Sequence, residues 1–210
     1  MKGRFLVLEG IDGSGKSTQL DHLLRWFPVS GLMPSGSRLL RTREPGGTSL
    51  GCVLRDLLLQ PSSSDSVPEA MTELLLYAAD RAQHVAQVIR PALDRGDWVI
   101  TERFSGSMLA YQGYGRGLDH SLIRYLEGVA TSNLHPDITL WLDLTLTESK
   151  RRCREGRDRI ESEGINFLSR VAQGFSDIGR ERGWIRIDAA SAESTVSAEI
   201  KTVLHSVLSK

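Results

Sequence analysis

Residues 10–17, GIDGSGKS, constrain this chain more than any other segment. They match the pattern G-x-x-x-x-G-K-[ST], directly after the apolar run RFLVLE at 4–9 and directly before a segment of helical period that begins near Lys16. Such a loop works only between a strand and a helix N-terminus. Its glycines let successive backbone N–H groups face a polyphosphate, and the helix end adds the positive pole of its dipole. Gly10, Ile11, Asp12, Gly13, Ser14, Gly15, Lys16, Ser17 and Thr18 therefore form the candidate phosphate cradle. Lys16 is expected to reach the β- and γ-phosphates of a nucleotide, and the Ser17 hydroxyl to ligand Mg²⁺.

The rest of the chain supplies the frame that this loop requires. Four further apolar runs of strand length, RLLRTR (38–43), WVIT (98–101), ITLWLD (138–143) and WIRID (184–188), alternate with longer helical segments. This alternation predicts an α/β fold of the P-loop NTPase type, a five-stranded parallel sheet with helices on both faces. One helix is expected between Thr72 and Leu93, with Leu74, Leu75, Ala78, Ala82, Val85 and Ile89 inward, its other face polar, and Pro91 kinking or ending it. The last helix is expected after a start signal at Ser194/Thr195, with Val196, Ile200, Val203, Leu204, Val207 and Leu208 on its buried side. The Ser- and Pro-rich stretches 28–37 and 61–66 read as loops. A length of 210 residues fits a single domain over 1–210.

Charge and cysteine content narrow the function classes. Lys plus Arg and Asp plus Glu balance at 26 each, so no global field points to nucleic acid as a partner. The N-terminal apolar run is too short for a signal peptide or a membrane span, which predicts a cytoplasmic protein without a membrane partner. Cys52 and Cys153 lie far apart without a partner motif and are expected to be reduced. The five histidines, His84 and His135 among them, lack ligand-like spacing and are expected to be structural or solvent-facing.

A phosphate loop alone serves kinases, GTPases and motors, but no N-K-x-D guanine-reading motif is present. Arginines stand instead where a second anion would bind. Arg43 ends the second strand in TREPGG (42–47), before a turn that would hold it, and Glu102 and Arg103 end the third in ERF. Ligands of open parallel sheets bind beyond the carboxyl ends of strands, so these side chains and the loop are expected to share a crevice. After the fourth strand, RRCREGRDRIE (151–161) gathers Arg151, Arg152, Arg154, Arg157 and Arg159.

GIDGSGKST, TREPGG, LLLYAADRAQH, LAYQGYGRGL, PDITLWLDL and DRIE occur in an order and approximate spacing that resembles the bacterial thymidylate kinases over nearly the whole chain. The resemblance implies transfer of the γ-phosphoryl group of ATP to dTMP, giving dTDP and ADP in dTTP biosynthesis, with Mg²⁺ as cofactor and a homodimer as the assembly. It implies that Arg43 and Arg103 bind the acceptor phosphate, Tyr77 stacks on thymine where the family usually has phenylalanine, and Arg81 hydrogen-bonds the base. Tyr111 and Gln112 would close the nucleoside pocket, with Ser107 a further candidate, and Asp12 would approach the sugar 3′-hydroxyl and help place the metal. The segment at approximately 147–163 corresponds to the lid, of the subtype that supplies the catalytic arginine from the lid, through Arg154 or Arg157.

Glu102 stands where the family typically has aspartate, and an E-R pair also resembles deoxynucleoside kinases, whose hydroxyl acceptor would need a carboxylate base such as Glu102 or Glu44. A kinase for another nucleoside or monophosphate is thus one alternative. A nucleotide-binding switch without a second substrate is the other. A phosphate acceptor needs no dedicated base, so alignment and charge neutralisation by Lys16, Mg²⁺ and arginines would carry the transfer.

Overall fold

Every residue of β1 (Phe5–Glu9) is buried, because this strand runs through the middle of the sheet and both its faces are covered. The computed structural model describes residues 3–60, 67–153, 158–160 and 163–209. Within them β2 (Leu39–Arg43), β3 (Trp98–Glu102), β4 (Ile138–Asp143) and β5 (Ile185–Asp188) join β1 in a parallel sheet of order β2-β3-β1-β4-β5. The two-residue period of β1 sorts its side chains between two cores. Leu6 and Leu8 pack with Leu20 and Leu23 of α1 (Lys16–Trp26), whereas Phe5 and Val7 pack with Val85, Ile89 and Phe104.

The five expected strands are the five observed. The third extends one residue to Glu102, and the fifth begins after Trp184. The register sets Leu8 of β1 beside Glu102 of β3 and beside Leu140 of β4, so the loops that follow β1 and β3 leave the sheet side by side. α2 (Ser49–Leu59) follows β2, and Thr48 caps it by accepting the Gly51 N–H at 2.9 Å.

The segment expected as one helix from Thr72 to Leu93 is α3 (Ala70–His84), a π-helical turn at Val85–Ile89, and α4 (Arg90–Asp94). Pro91 lies in the first turn of α4, and the wider turn before it accommodates the ring and the missing N–H, so the chain continues. The face assignment needs correction. Leu75 and Ala82 are exposed, while Glu73, Asp80, Arg81 and His84 are buried, so the polar side of α3 faces inward. These groups are satisfied by partners from other elements, which hydrophobic periodicity cannot register.

A second π-helical run, Leu109–Gly115, extends α5 (Ser105–Met108) and carries Tyr111 and Gln112. α6 (His120–Thr131), α7 (Leu146–Arg152) and α8 (Ile165–Glu181) complete the middle of the chain. The last helix, α9 (Glu193–Leu208), starts earlier than the Ser194/Thr195 signal because contacts to α1 hold its first residue. Gln19 donates to the Glu193 carbonyl at 3.1 Å, and His22 Nε2 lies 2.7 Å from the Glu193 carboxylate. Val196, Ile200 and Leu204 are buried as expected, but Val207 is exposed along an open groove. Neither cysteine forms a disulfide, and no helix among the described residues is long and apolar enough to cross a membrane. His84 is fully buried, and His135 is exposed.

Glu73 of α3 ties four parts of the chain together. Its carboxylate, 0% exposed, accepts hydrogen bonds from Gln112 at 2.8 Å, from Arg116 at 3.1 and 3.2 Å, and from Arg159 at 2.6 Å. Arg159, counted in the basic run after β4, is thus a buried structural cation that also donates to the Leu58 carbonyl. Glu73→Ala would take from buried Arg159 its ion-pair partner and leave Arg116 with Glu163 alone, at a cost of about 3 kcal/mol. Chemical denaturation of the variant beside the parent chain measures it, and a change below about 1 kcal/mol would contradict this account of the α3 core.

Candidate active site

The loop after β1 takes the path its glycines allow. Gly13 and Gly15 have φ of 74° and 88°, and Gly15 begins α1 as a left-handed N-cap. Lys16 is buried, with Nζ donating to the carbonyls of Gly10 at 3.0 Å and Ile11 at 2.8 Å. Burial, then the charge of Arg103, lower the Lys16 ammonium to about 8, against the pull of Asp12, Glu102 and Glu9. The Ser17 hydroxyl donates to Glu102 at 2.7 Å, and Glu102 also receives Arg41 at 3.3 Å.

Glu102 and Arg103 therefore do not pair with each other at the strand end. Arg103, at a left-handed φ of 65°, turns its guanidinium toward the loop. It ion-pairs with Asp12 and donates to the Gly10 carbonyl at 3.2 Å, Ser107 at 3.0 Å and the Tyr111 hydroxyl at 3.2 Å. A non-glycine residue in this region costs on the order of 1 kcal/mol, so the local contacts must enforce it. Tyr111 in turn donates to Asp12 at 2.8 Å. Burial alone would raise the Asp12 carboxyl, but the charges of Arg103 and Lys16 and the hydrogen bonds from Tyr111 and Arg103 hold it at about 2.

Glu9, absent from the sequence expectations, sits beneath this arrangement with 1% exposure. Its carboxyl accepts the backbone N–H groups of Phe104 at 3.0 Å and Ser107 at 3.1 Å and the Ser107 hydroxyl at 2.6 Å. Burial pushes it up, against the Ser107 hydrogen bond and the Arg103 charge. The only sequence signal was an acid as the last residue of an otherwise apolar strand.

Next to the loop lies a cleft of about 580 Å³ lined by Asp12, Tyr77, Arg81, Arg103, Tyr111 and Gln112, with Ser107 and Arg55 at its wall. Tyr77 and Arg81, four residues apart, both face it. Arg81 is committed to protein partners: Nε donates to Glu44 at 2.8 Å and Nη2 to the Phe104 carbonyl at 3.0 Å. Gln112 donates to Glu73, so it is held in place from the side away from the cleft. Arg43 is exposed and is not among the lining residues. It lies beside Arg55, separated by Gly46, where a Cβ would come 3.1 Å from the Arg55 side chain and 3.6 Å from Arg43 Nε. Arg55, which sequence reasoning missed, has its charge opposed by burial and by Arg43 and Arg103. Its helical spacing within α2 after the Pro-Gly-Gly turn was the available clue.

On the other side of the loop, Gly13, Gly15 and Thr18 line a groove of about 620 Å³ with Arg152, Ala189 and Ser191. Arg152 donates to the carbonyls of Ala189 at 2.9 Å and Ala190 at 3.3 Å and pairs with Glu148. Arg154 and Arg157, the expected lid arginines, lie outside the described residues. Asp143 pairs with Arg186 and takes no part in either space.

A phosphate loop flanked by a donor-side groove and an arginine-walled cleft is the geometry of a two-substrate phosphotransferase, and the residues from 8 to 200 match the family model described as thymidylate kinase. The chain belongs to the thymidylate kinase family. It is 60% identical to the thymidylate kinase of Prochlorococcus marinus (strain MIT 9313), over 97% of this chain and 94% of that one. It is 58% identical to that of Synechococcus sp. (strain CC9605), over 98% of each chain. The crystal structure of thymidylate kinase from Ehrlichia chaffeensis superposes with a TM-score of 0.78 at 32% identity, covering 97% of this chain and all of that one.

The lowered Lys16 ammonium makes polyphosphate binding proton-coupled in a family member of this geometry. Near pH 8.5 much of the lysine is neutral, and a bound polyanion favours its charged form, so binding takes up on the order of half a proton. At pH 6.5 the lysine is charged before and after, and uptake vanishes. Calorimetry with ATP in buffers of different ionisation enthalpy reads both values, and equal uptake at the two pH values would contradict the assignment.

Proposed function

We propose that the chain transfers the γ-phosphoryl group of ATP to dTMP, giving dTDP and ADP in dTTP biosynthesis, as a single domain over 1–210. The observation that carries the reading is the placement of Tyr77, Arg81, Arg103 and Arg55 around one cleft beside the phosphate loop. An aromatic ring and a buried guanidinium suit a nucleobase, and the arginines nearer Asp12 suit a phosphate. In this reading Arg103, Arg43 and Arg55 hold the acceptor phosphate, Tyr77 stacks on thymine and Arg81 faces its edge. Tyr111, Gln112 and Ser107 bound the sugar, and Asp12 meets the 3′-hydroxyl.

Mg²⁺ belongs to the same proposal. Among the described residues no group of three or more His, Cys, Asp or Glu gathers to cage a metal, which fits a cation held mainly by substrate phosphates and water. Ser17, whose hydroxyl proton is occupied by Glu102, keeps its oxygen lone pairs for such an ion, and Asp12 is the nearby carboxylate. The ion would neutralise charge between the two polyanions. The protein's own share is alignment: the loop N–H groups and Lys16 hold the donor, and Arg103 joins the acceptor side to the loop. We further propose that the lid supplies a catalytic arginine, Arg154 or Arg157, with Arg152 anchoring the segment over the donor groove through its contacts to Ala189 and Ala190.

A hydroxyl acceptor is less well served. Glu102 is engaged by Ser17 and Arg41, and Glu44 is buried between Arg81 and His84, so neither carboxylate is poised as a base for a nucleoside. The test is coupled ADP release with Mg²⁺-ATP and matched concentrations of dTMP, thymidine, deoxyuridine monophosphate and other monophosphates. The expected result is a strong preference for dTMP. Preference for thymidine, or no acceptor-dependent release, would overturn the reading.

A homodimer completes the proposal, and an unusual apolar surface supports it. α3 packs between α2 and α6, and its outer stripe of Met71, Leu75, Ala79 and Ala82, continued by Ala86 in the π-helical turn, is exposed. Leu50, Val53 and Leu57 of α2 and Tyr125 and Val129 of α6 are exposed beside it. A contiguous apolar area on a helical layer is the kind of surface two copies cover by symmetric pairing. Leu75→Glu should convert a dimer to a monomer in size-exclusion chromatography with light scattering. A parent chain that elutes as a monomer would refute the assembly.

A further inference from the structure

α3 grips the end of β2 and the turn that follows it at three successive points. His84 Nε2 lies 2.6 Å from the Thr42 hydroxyl, Arg81 and His84 hold the two oxygens of Glu44 at 2.8 and 2.9 Å, and Asp80 Oδ1 accepts the Gly46 N–H at 3.1 Å. Of the three, the Asp80 contact is made to the backbone of the turn itself. Asp80 is 1% exposed, and its Oδ2 has no hydrogen-bond partner among the described residues. The fit around the carboxylate is tight, because a Cβ at Gly51 would overlap Oδ1. The turn so held is connected outward to the cleft. The Pro45 carbonyl accepts Arg55 Nη1 at 3.0 Å, and Gly46 lies between the side chains of Arg55 and Arg43.

We propose that Asp80 is a positioning residue for the acceptor phosphate, fixing through the Gly46 amide the turn against which the side chains of Arg55, from α2, and Arg43, from the end of β2, are held. The inference rests on the phosphate-acceptor reading above and deepens it. Asp80 lies on the same helix as Tyr77 and Arg81, so one carboxylate sets the distance between the base-facing part of the cleft and its phosphate-facing arginines. Only the oxygen facing Gly46 is used, and an uncharged oxygen at that point serves as well. Burial and the neighbouring charge of Glu44 push the carboxyl up to about 6, against the Gly46 N–H, His84 and Arg81, so the negative charge at this position is not what the fold exploits.

The test compares Asp80→Ala, which removes the acceptor, with Asp80→Asn, which keeps an oxygen for Gly46, in the full chain. Thymidine, which carries base and sugar without phosphate, serves as a competitive inhibitor that reports the other half of the cleft. Asp80→Ala should raise KM for dTMP about tenfold or more while KM for ATP and the inhibition constant of thymidine stay within about twofold, and Asp80→Asn should remain near the parent values. If the alanine variant does not fold, Asp80→Ser, too short to reach Gly46 yet still polar, takes its place. An unchanged KM for dTMP, an equal weakening of thymidine, or an asparagine variant as impaired as alanine would each overturn the inference. The parent chain in the same assay separates the two levels: without dTMP-dependent ADP release the acceptor reading itself fails, whereas an active parent with an indifferent Asp80→Ala removes only the role of Asp80.

Discussion

The buried carboxyl of Glu9 holds together what the site requires. It ends the central strand, one residue before the phosphate loop, and its two oxygens take up the backbone and side-chain donors that open α5. A buried acid without partners would be expensive, and N–H donors at the start of a short helix are otherwise unpaired, so each solves the other's desolvation problem. The consequence is mechanical. The loop after β1 and the turn after β3 become one seam, and Arg103, between them, is forced into a left-handed conformation that directs its guanidinium across the Gly10 carbonyl to Asp12.

Charge in the site is balanced within short circuits. Arg103 answers Asp12, Lys16 rests on loop carbonyls, and Ser17 leads through Glu102 to Arg41 and Asp21. Arg103, Asp12, Lys16 and Glu102 each hold more than one contact, so one of these contacts can be exchanged for a phosphate oxygen or a cation without stranding the group. The exception is the pair of neighbouring guanidiniums on either side of Gly46, where Arg43 opposes the charge of Arg55. Like charges held together against one turn are relieved by an anion, which makes that corner, at the edge of the cleft, anion-seeking.

The sequence revealed most where chemistry demands fixed spacing. The loop from Gly10 to Thr18 and the five strands were legible because glycine pattern and strand length are local properties, whereas the meeting of Tyr77, Arg81, Arg103 and Tyr111 at one cleft was legible through the resemblance to a family. What escaped was set by tertiary pairing. Glu9 looked like the end of a strand and Arg159 like part of a basic run, yet burial and partners from remote segments define both, and Arg55 owes its place to the turn ten residues before it. Nothing local distinguishes Arg159, which answers Glu73 from across the fold, from Arg151, which stays exposed with Glu148.

α3 shows why the periodicity argument inverted. An amphipathic helix is assumed to turn its apolar side inward, and α3 does so only in part, through Leu74 and Ala78. Beside these it buries Glu73, Asp80, Arg81 and His84 against the loop after β2 and the π-helical run that carries Gln112, while Met71, Leu75, Ala79 and Ala82 face outward. A buried polar face of this kind is costly unless nearly every group is paired, and the pairs it forms are those that fix the cleft. An exposed apolar face carries its own cost unless something covers it. The two departures from the usual pattern lie on one helix, so a partner covering the outer stripe would press on the same element on which Tyr77, Asp80 and Arg81 are mounted.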